Sequence, residues 1–172
     1  MQFKDVPEIQ TQRLSLRVLN TNDVVITFAL RSNVEVIKYI EREPLSFAEA
    51  ENKTQEIVKY IENNQSISWT IKFTAENKKI GSICLWNFSK DKMTAEIGYD
   101  LLPKYHNKGI MNEALKSVLQ FGFNNLKLKT IEAFTSKYNQ GSVALLEKNN
   151  FVLDAKRKDE GFPDNVVFSL KR

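Results

Sequence analysis

The sequence predicts an α/β layered domain, with a mixed, mostly antiparallel central sheet of about seven strands and helices flanking both faces. Three observations predict it. After one opening strand, apolar residues recur at helical spacing up to about Glu62. From Ile67 to Leu101 the period drops to two, in three runs joined by short polar turns. Beyond Gly109 helical and strand patterns alternate. Neither a linker nor an internal repeat divides the 172 residues, so one domain, 1–172, is expected.

Each element has a local cause. Arg13 to Leu19 alternates apolar and polar residues, the pattern of a strand with one buried face. Asn20 and Thr21 are good cap types for a helix from about Asp23 to Arg31, and Ser32-Asn33 separates it from a second short helix, Val34 to Ile40. Pro44 lies in a charged loop from Glu41 to Leu45. Ser46-Phe47-Ala48-Glu49 is a capping box that opens a helix to about Glu62. Strands follow at Ile67 to Phe73, Ile80 to Trp86 and Met93 to Leu101. From Gly109 to Leu126 the stripe Ala114, Leu115, Val118, Leu119, Gly122 marks a helix. Thr130 to Thr135 is a strand, Gln140 to Asn149 a helix capped by Asn139, and Phe151 to Lys156 and Val166 to Leu170 are closing strands.

Composition narrows the function classes. No apolar run is long enough to cross a bilayer, and no basic-apolar-small pattern of an export signal opens the chain. A single cysteine, Cys84, leaves no internal disulfide and suits a reducing compartment, so a cytoplasmic protein is expected. Cys84 sits in a strand pattern as a core residue. The net charge of +4 fits either a soluble basic surface or attraction for an anionic ligand. No dense basic block marks a nucleic-acid binder, and no cluster has metal-ligand spacing.

Two segments carry the chemistry. Pro103 cannot continue a ladder, so the third strand breaks after Leu101-Leu102 and gives way to Tyr105-His106-Asn107-Lys108-Gly109-Ile110-Met111-Asn112 at a helix start. Unpaired amides there carry partial positive charge and suit an anion, while Gly109 permits a close backbone approach or simply a turn. Asn139 and Ser142 stand three apart at a second strand-to-helix junction, as a plain cap or as contacts to something beside that helix.

Together these segments resemble the GNAT superfamily of acetyl-coenzyme A-dependent N-acetyltransferases, in its ribosomal-protein N-terminal acetyltransferase (RimJ/RimL-type) branch. The resemblance covers nearly the whole chain: Thr11-Gln12-Arg13-Leu14-Ser15-Leu16-Arg17, Ile80-Gly81-Ser82-Ile83, Ala95-Glu96-Ile97-Gly98-Tyr99, Lys108-Gly109-Ile110-Met111, and Asn139 to Phe151. It implies a GNAT-like fold and acetyl-CoA as co-substrate, with no metal. It also implies that the backbone of Leu101 and Leu102 pairs with the pantetheine arm and helps hold the thioester carbonyl. The loop of His106, Asn107, Lys108, Gly109, Ile110, Met111 and Asn112 would bind the pyrophosphate. Asn139 and Ser142 would lie near the pantetheine and the sulfur. The sequence departs from the family at His106 and Met111 in the loop pattern, at Leu146 where many members have a tyrosine general acid, and at Asn150 where a glycine is common.

The implied reaction is direct attack of a neutral amine on the thioester, through a tetrahedral oxyanion, with coenzyme A leaving as a thiolate. Glu96, on one face of its strand with Gly98, is the candidate base, and Ser142 the candidate group near the leaving sulfur. An α-amine of pKa about 7.7–8.0 is roughly a fifth to a third neutral at pH 7.4, against about 0.1 per cent for a lysine near 10.4. A weak base without a tyrosine acid therefore favours a protein N-terminal α-amine, of ribosomal-protein type, as acceptor. A small-molecule amine (polyamine, amino acid or antibiotic) and a catalytically weak CoA-binding module are the alternatives. Residues 32–46 and 156–165 would form the acceptor cleft, with Glu41, Glu43, Asp159 and Glu160 available to attract a cation. A monomer or homodimer is expected.

Overall fold

The computed structural model describes residues 2–40 and 42–172. Glu41 of the expected acceptor cleft lies outside them. Eight strands form one sheet in the order β1-β2-β3-β4-β5-β6-β8-β7. They are β1 (Ile9–Gln10), β2 (Leu14–Val18), β3 (Ile67–Phe73), β4 (Lys78–Trp86), β5 (Thr94–Leu101), β6 (Thr130–Ser136), β7 (Val152–Leu153) and β8 (Asn165–Lys171). Every neighbouring pair is antiparallel except β5 and β6, which run parallel. The helices are α1 (Val24–Arg31), α2 (Val34–Ile37), α3 (Phe47–Glu62), α4 (Ile110–Asn124) and α5 (Gln140–Lys148).

Alternation along the strands assigns the two faces. Ile67, Trp69 and Ile71 of β3 stand opposite Leu85, Ile83 and Gly81 of β4 and share the α4 face. Trp69 meets Phe121 of α4 edge to face, with ring centroids 5.6 Å apart. Gly122 lets α4 lie close on Leu85 and Ile131. The other face is more polar: Ser68, Thr70, Ser82 and Cys84 lie there, beneath α1 and α3. A cavity of about 20 Å³ lies between them, lined by Leu19, Ile26, Leu30, Ile57, Thr70 and Ser82 among others. The base of α1 is fixed by Asp23, fully buried, which accepts from both Arg17 (2.9 Å) and Lys79 (2.7 Å). Burial opposes ionisation of Asp23, but its bonds from Lys79, the Asn20 amide and Arg17 outweigh this and hold the carboxyl below its ordinary range.

Most expected elements stand within a residue or two of their predicted ends, and the predicted capping box at Ser46 and Glu49 is present. Three differences have physical causes. The strand expected from Phe151 to Lys156 is only Val152–Leu153, because the Asp154 carboxylate and carbonyl fold the next residues into a turn, accepting from Lys156 and Arg157 amides. The helix expected to reach Ile40 stops at Ile37, where the Ile40 amide closes a tight turn on the Ile37 carbonyl. The extra strand, Ile9–Gln10, is too short for periodicity to register.

Gly81 tests the packing that positions the end of β5. A Cβ there would stand 2.5 Å from the Asp100 carbonyl oxygen and 2.9 Å from Leu101 Cδ1, so Gly81→Ala must push β4 and β5 apart. We expect it to cost about 1–3 kcal/mol, a fall in Tm of roughly 2–12 °C by thermal denaturation. Gly141→Ala, in the first turn of α5 with no atom nearer than 3.8 Å, is expected to stabilise by about 0.4–1 kcal/mol.

Candidate active site

The parallel pairing of β5 with β6 covers Thr94↔Thr130, Ala95↔Ile131 and Glu96↔Glu132, and then ends. β6 continues to Ser136 against β8, and β5 continues to Leu101 against β4, so the two strands part beyond Glu96. Which backbone groups face the gap follows from the antiparallel alternation. The Leu102 amide donates to the Ile80 carbonyl (3.0 Å), so Leu102 and Ile80 are a bonded pair. Leu101 and Tyr99, opposite Gly81 and Ile83, are then the non-bonded positions, with N–H and C=O turned toward the gap. Leu102 therefore differs from Leu101: its amide is spent on Ile80 and its carbonyl accepts from Tyr105 (2.9 Å).

After Leu101 the chain takes one turn of 3-10 helix, Pro103–Tyr105, and enters the loop. His106 is already engaged. Its amide donates to the Pro103 carbonyl (3.0 Å), and its ring Nε2 lies 2.8 Å from the Leu101 carbonyl oxygen, tying strand end to loop. The loop then uses two left-handed residues, Asn107 (φ 59°) and Gly109 (φ 71°), the latter the cap of α4. Among the described residues, no acceptor is engaged by the amides of residues 108–112, so they remain available to an anion. Ile110 and Met111 are buried and anchor the start of α4 in the core. Asn112 Oδ1 accepts from Asn149 Nδ2 (2.9 Å), which ties the first turn of α4 to α5.

The start of α5 reaches the same opening. Asn139 caps it, its Oδ1 accepting from the Ser142 amide (3.1 Å). Ser142 is 9% exposed, and its Oγ lies 2.8 Å from Tyr99 Oη. Burial pushes the Tyr99 phenol up to about 12, against the opposing effect of the bond to Ser142. Leu146, one turn further, is fully buried. Tyr99 is a site residue that sequence reasoning missed. Its signal was a hydroxyl on the otherwise apolar face of Ile97 and Leu101.

At the point where the strands part stands the half-buried Glu96 carboxylate, which accepts from Asn87 Nδ2. Burial raises its pKa; the Asn87 bond opposes this, while the charges of Glu132 and Asp159 raise it further and Arg157 lowers it. Glu132 pairs with Arg157, and Asp159 accepts from Asn165 (2.7 Å). The loop of residues 156–165 thus brings Asp159 and Arg157 toward Glu96, whereas Glu43 and Glu160 are exposed. Asn87, Glu132 and Arg157 were not singled out in sequence, because they belong to three separate elements. On the same sheet face Arg31 of α1 pairs with Asp100 of β5 (3.2 Å). Cys84 is half-buried on this face under Gly98 rather than in the main core. Its thiol is pushed up to about 12, first by burial and then by Asp100, so it is protonated and a poor nucleophile. Among the described residues no group of three or more His, Cys, Asp or Glu could hold a metal ion, and no helix is long and apolar enough to cross a membrane.

A parted parallel strand pair, a free-amide loop and a helix start thus converge on one opening, and comparison with known proteins gives them a common context. Residues 13–152 match the model of the acetyltransferase (GNAT) domain. The uncharacterized N-acetyltransferase YoaA of Bacillus subtilis (strain 168) is 31% identical over 170 residues, covering 95% of this chain and 96% of that protein. The spermidine N(1)-acetyltransferase of Escherichia coli (strain K12) is 23% identical over 150 residues, covering 87% of this chain and 78% of that one. In three dimensions the fold matches that of RimL, a ribosomal L7/L12 α-N-protein acetyltransferase, in complex with coenzyme A. The TM-score is 0.83 at 17% identity, over 96% of this chain and 98% of that one. GNAT enzymes use acetyl-CoA as co-substrate, and this chain, an acyltransferase by that membership, belongs to the GNAT acetyltransferase family.

Proposed function

We propose that this enzyme moves the acetyl group of acetyl-CoA to a protein N-terminal α-amine. The observation that carries the proposal is Glu96, a half-buried carboxylate of raised pKa at the parting of β5 and β6. Acetyl-CoA supplies an activated acetyl thioester. The chain fits it: Tyr99 turns its N–H and C=O and Leu101 its N–H into the gap, the Leu101 carbonyl being held by His106, and the amides of residues 108–112 lack acceptors. In this proposal the Leu101 backbone, joined by that of Tyr99 rather than Leu102, holds the pantetheine arm and thioester carbonyl. The amides from Lys108 to Asn112 take the pyrophosphate, with Asn107 shaping the loop and His106 bracing it through Leu101. Asn139 sets α5 so that the Ser142 hydroxyl meets the sulfur. Glu96 accepts the proton that the amine sheds, directly or through a water.

The acceptor class follows from proton affinities. Glu96 is only a weak base, and position 146 offers a fully buried leucine in place of a phenol. An amine that is already partly neutral near pH 7.4 suits such a site better than a free lysine or polyamine. Glu132 and Asp159 add negative charge that attracts the protonated form before it sheds its proton. The single domain of 1–172 and a cytoplasmic setting belong to the same proposal.

A thiol-release assay with acetyl-CoA tests it against Ser-, Ala- and Met-starting peptides, polyamines and aminoglycosides. Peptides with a free α-amine are expected to turn over, and N-terminally blocked peptides bearing lysine are not. Turnover confined to polyamines or other small amines would replace the proposed acceptor. Tight CoA binding with no release on any amine would make the chain a binding module.

Acid–base roles give a second expectation. In kcat/KM against pH, activity falls on acidification through the amine pKa and again through the Glu96 pKa, which lies above the ordinary carboxylate value of 4.5. Glu96→Gln should remove the lower limb and reduce the rate by about 10²–10⁴-fold while CoA binding, read by calorimetry, is unchanged. Asn87→Ala removes a bond that lowers the Glu96 pKa, so the lower limb should move to higher pH.

A further inference from the structure

The start of β2 is braced against the loop at the start of α4, a hundred residues away in sequence. Glu113, in the first turn of α4, accepts three bonds from the Thr11 and Arg13 region. Thr11 Oγ1 donates to Oε1 (2.6 Å), the Arg13 amide to Oε1 (2.9 Å), and Arg13 Nε to Oε2 (2.7 Å). Arg13 Nη1 donates in addition to the carbonyl oxygen of Lys108 (3.2 Å). The guanidinium lies over Gly109, with Nη2 3.7 Å from where a Cβ would stand. One planar fork therefore bridges a carboxylate on the helix and a carbonyl in the loop, a geometry that suits arginine and not lysine.

Two consequences follow for the loop. A trans peptide is planar, with its C=O and N–H on opposite sides. By holding the Lys108 carbonyl, Arg13 fixes the Gly109 amide pointing the other way, out of the loop. Gly109 has no Cβ to restrain that peptide plane from its own side. The second consequence is electrostatic. A carboxylate in the first turn of α4 would oppose any anion bound at that helix start, and Arg13 neutralises it at a distance of one hydrogen bond. Burial works against ionisation of Glu113, but the Thr11 hydroxyl and the Arg13 amide and guanidinium outweigh it, so the group is charged and the ion pair is present at neutral pH.

We infer that Arg13 is a positioning residue for the pyrophosphate of the co-substrate: its fork aims the Gly109 amide and cancels the Glu113 charge, without itself taking part in acetyl transfer. This rests on the proposal that residues 108–112 bind the pyrophosphate. Its reach is specific. It concerns only donors that carry the pyrophosphate, and it leaves the pantetheine arm and the acceptor untouched.

The test compares acetyl-CoA with acetyl-pantetheine, which has the same thioester and arm but no pyrophosphate. The readout is the ratio of their kcat/KM values at fixed, saturating amine, in wild type, Arg13→Ala and Arg13→Lys. In wild type the ratio should be large. Arg13→Ala should lower it by about tenfold, the loss of one charge-assisted hydrogen bond, through KM for acetyl-CoA, while kcat/KM for acetyl-pantetheine stays unchanged. Arg13→Lys restores a charge beside Glu113 but cannot span to the Lys108 carbonyl, so the ratio should remain low. A wild-type ratio near one would overturn the pyrophosphate assignment of the loop itself. A large wild-type ratio that Arg13→Ala leaves intact, even with both donors slowed or the melting temperature lowered, would overturn the inference about Arg13 and make it a structural residue only. Full recovery of the ratio in Arg13→Lys would overturn the bridging geometry in the same way.

Discussion

The molecule depends on how briefly β5 and β6 stay together. Parallel strands need a crossover between them, and here α4 provides it, lying on the apolar face of the sheet. Pairing through Glu96 and Glu132 is enough to set the register and to bring the end of α4 back onto the sheet. Had it continued to Leu101, the backbone groups of Tyr99 and Leu101 would be consumed within the sheet. Because β6, paired along its other edge to β8 throughout, parts from β5 beyond Glu132, the Tyr99 groups and the Leu101 amide are left over, and the gap is bordered by the first turns of α4 and α5. The rest of the site is a set of fastenings that keep this opening in shape: the His106 ring on the Leu101 carbonyl, the Asn112–Asn149 bond between the two helices, and the Arg13 fork on Lys108 and Glu113.

The opening is also electrically polar along its length. Five residues of extended chain, about 17 Å at roughly 3.3 Å per residue, separate Glu96 from Leu101. At the Leu101 end are free amides and the exposed Lys104 and Lys108; at the Glu96 end are Glu96, Glu132 and Asp159 with a single balancing Arg157. An elongated donor with an anionic end and an acceptor with a cationic amine would each be drawn to the opposite end. The carboxylate ordering at the acid end is uneven. Glu132 is paired with Arg157, while Glu96 has only the neutral Asn87 amide to set against its burial and the nearby carboxylates, and its proton affinity rises. A modest net charge of +4 conceals both ends, which is why composition alone left the sign of the ligand open.

Periodicity made nearly the whole layer order legible, because helix and strand patterns depend on side chains that are neighbours in sequence. It failed where backbone or polar side chains took over. The Asp154 turn ends the strand at Leu153, and apolar spacing does not register it because it is made by the Asp154 carboxylate and carbonyl accepting from the Lys156 and Arg157 amides. The loop at Gly109 and the cap at Asn139 were legible for the same local reason as the helices. The division of labour between Leu101 and Leu102 was not, since it depends on which of the two amides meets β4. Nor were Arg13 with Glu113, or Asn87 with Glu96 and Glu132, legible, since each is a contact between elements and a single sequence contains no record of it. The family resemblance supplied the proposed cofactor half because that half draws mostly on one contiguous stretch. The proposed acceptor half would draw on β5, β6, the residue after β4 and the loop before β8, and its residue types individually read as solvated charge.

Beside the hydroxyl pair of Tyr99 and Ser142 the chain departs from the family pattern it resembles at Leu146. Position 146 of α5, a tyrosine acid in many members by that resemblance, is here a fully buried leucine, and the phenol in contact with α5 is Tyr99 of β5. With its proton affinity raised to about 12, Tyr99 keeps its proton throughout the neutral range. It is therefore a poor proton source, and its hydroxyl can donate to Ser142 Oγ or accept from it. If it donates to Ser142 Oγ, the serine proton is turned away from Tyr99 and is free to point into the gap. Such an arrangement polarises the serine hydroxyl without charging it. That is adequate for a leaving group as acidic as a thiol, whose ordinary pKa near 8.5 lets it depart as the anion when a neutral donor is aimed at it. On the proposed mechanism a neutral serine donor at the sulfur leaves only one full proton transfer to be made, from the amine to Glu96, so a tyrosine acid on α5 is not required.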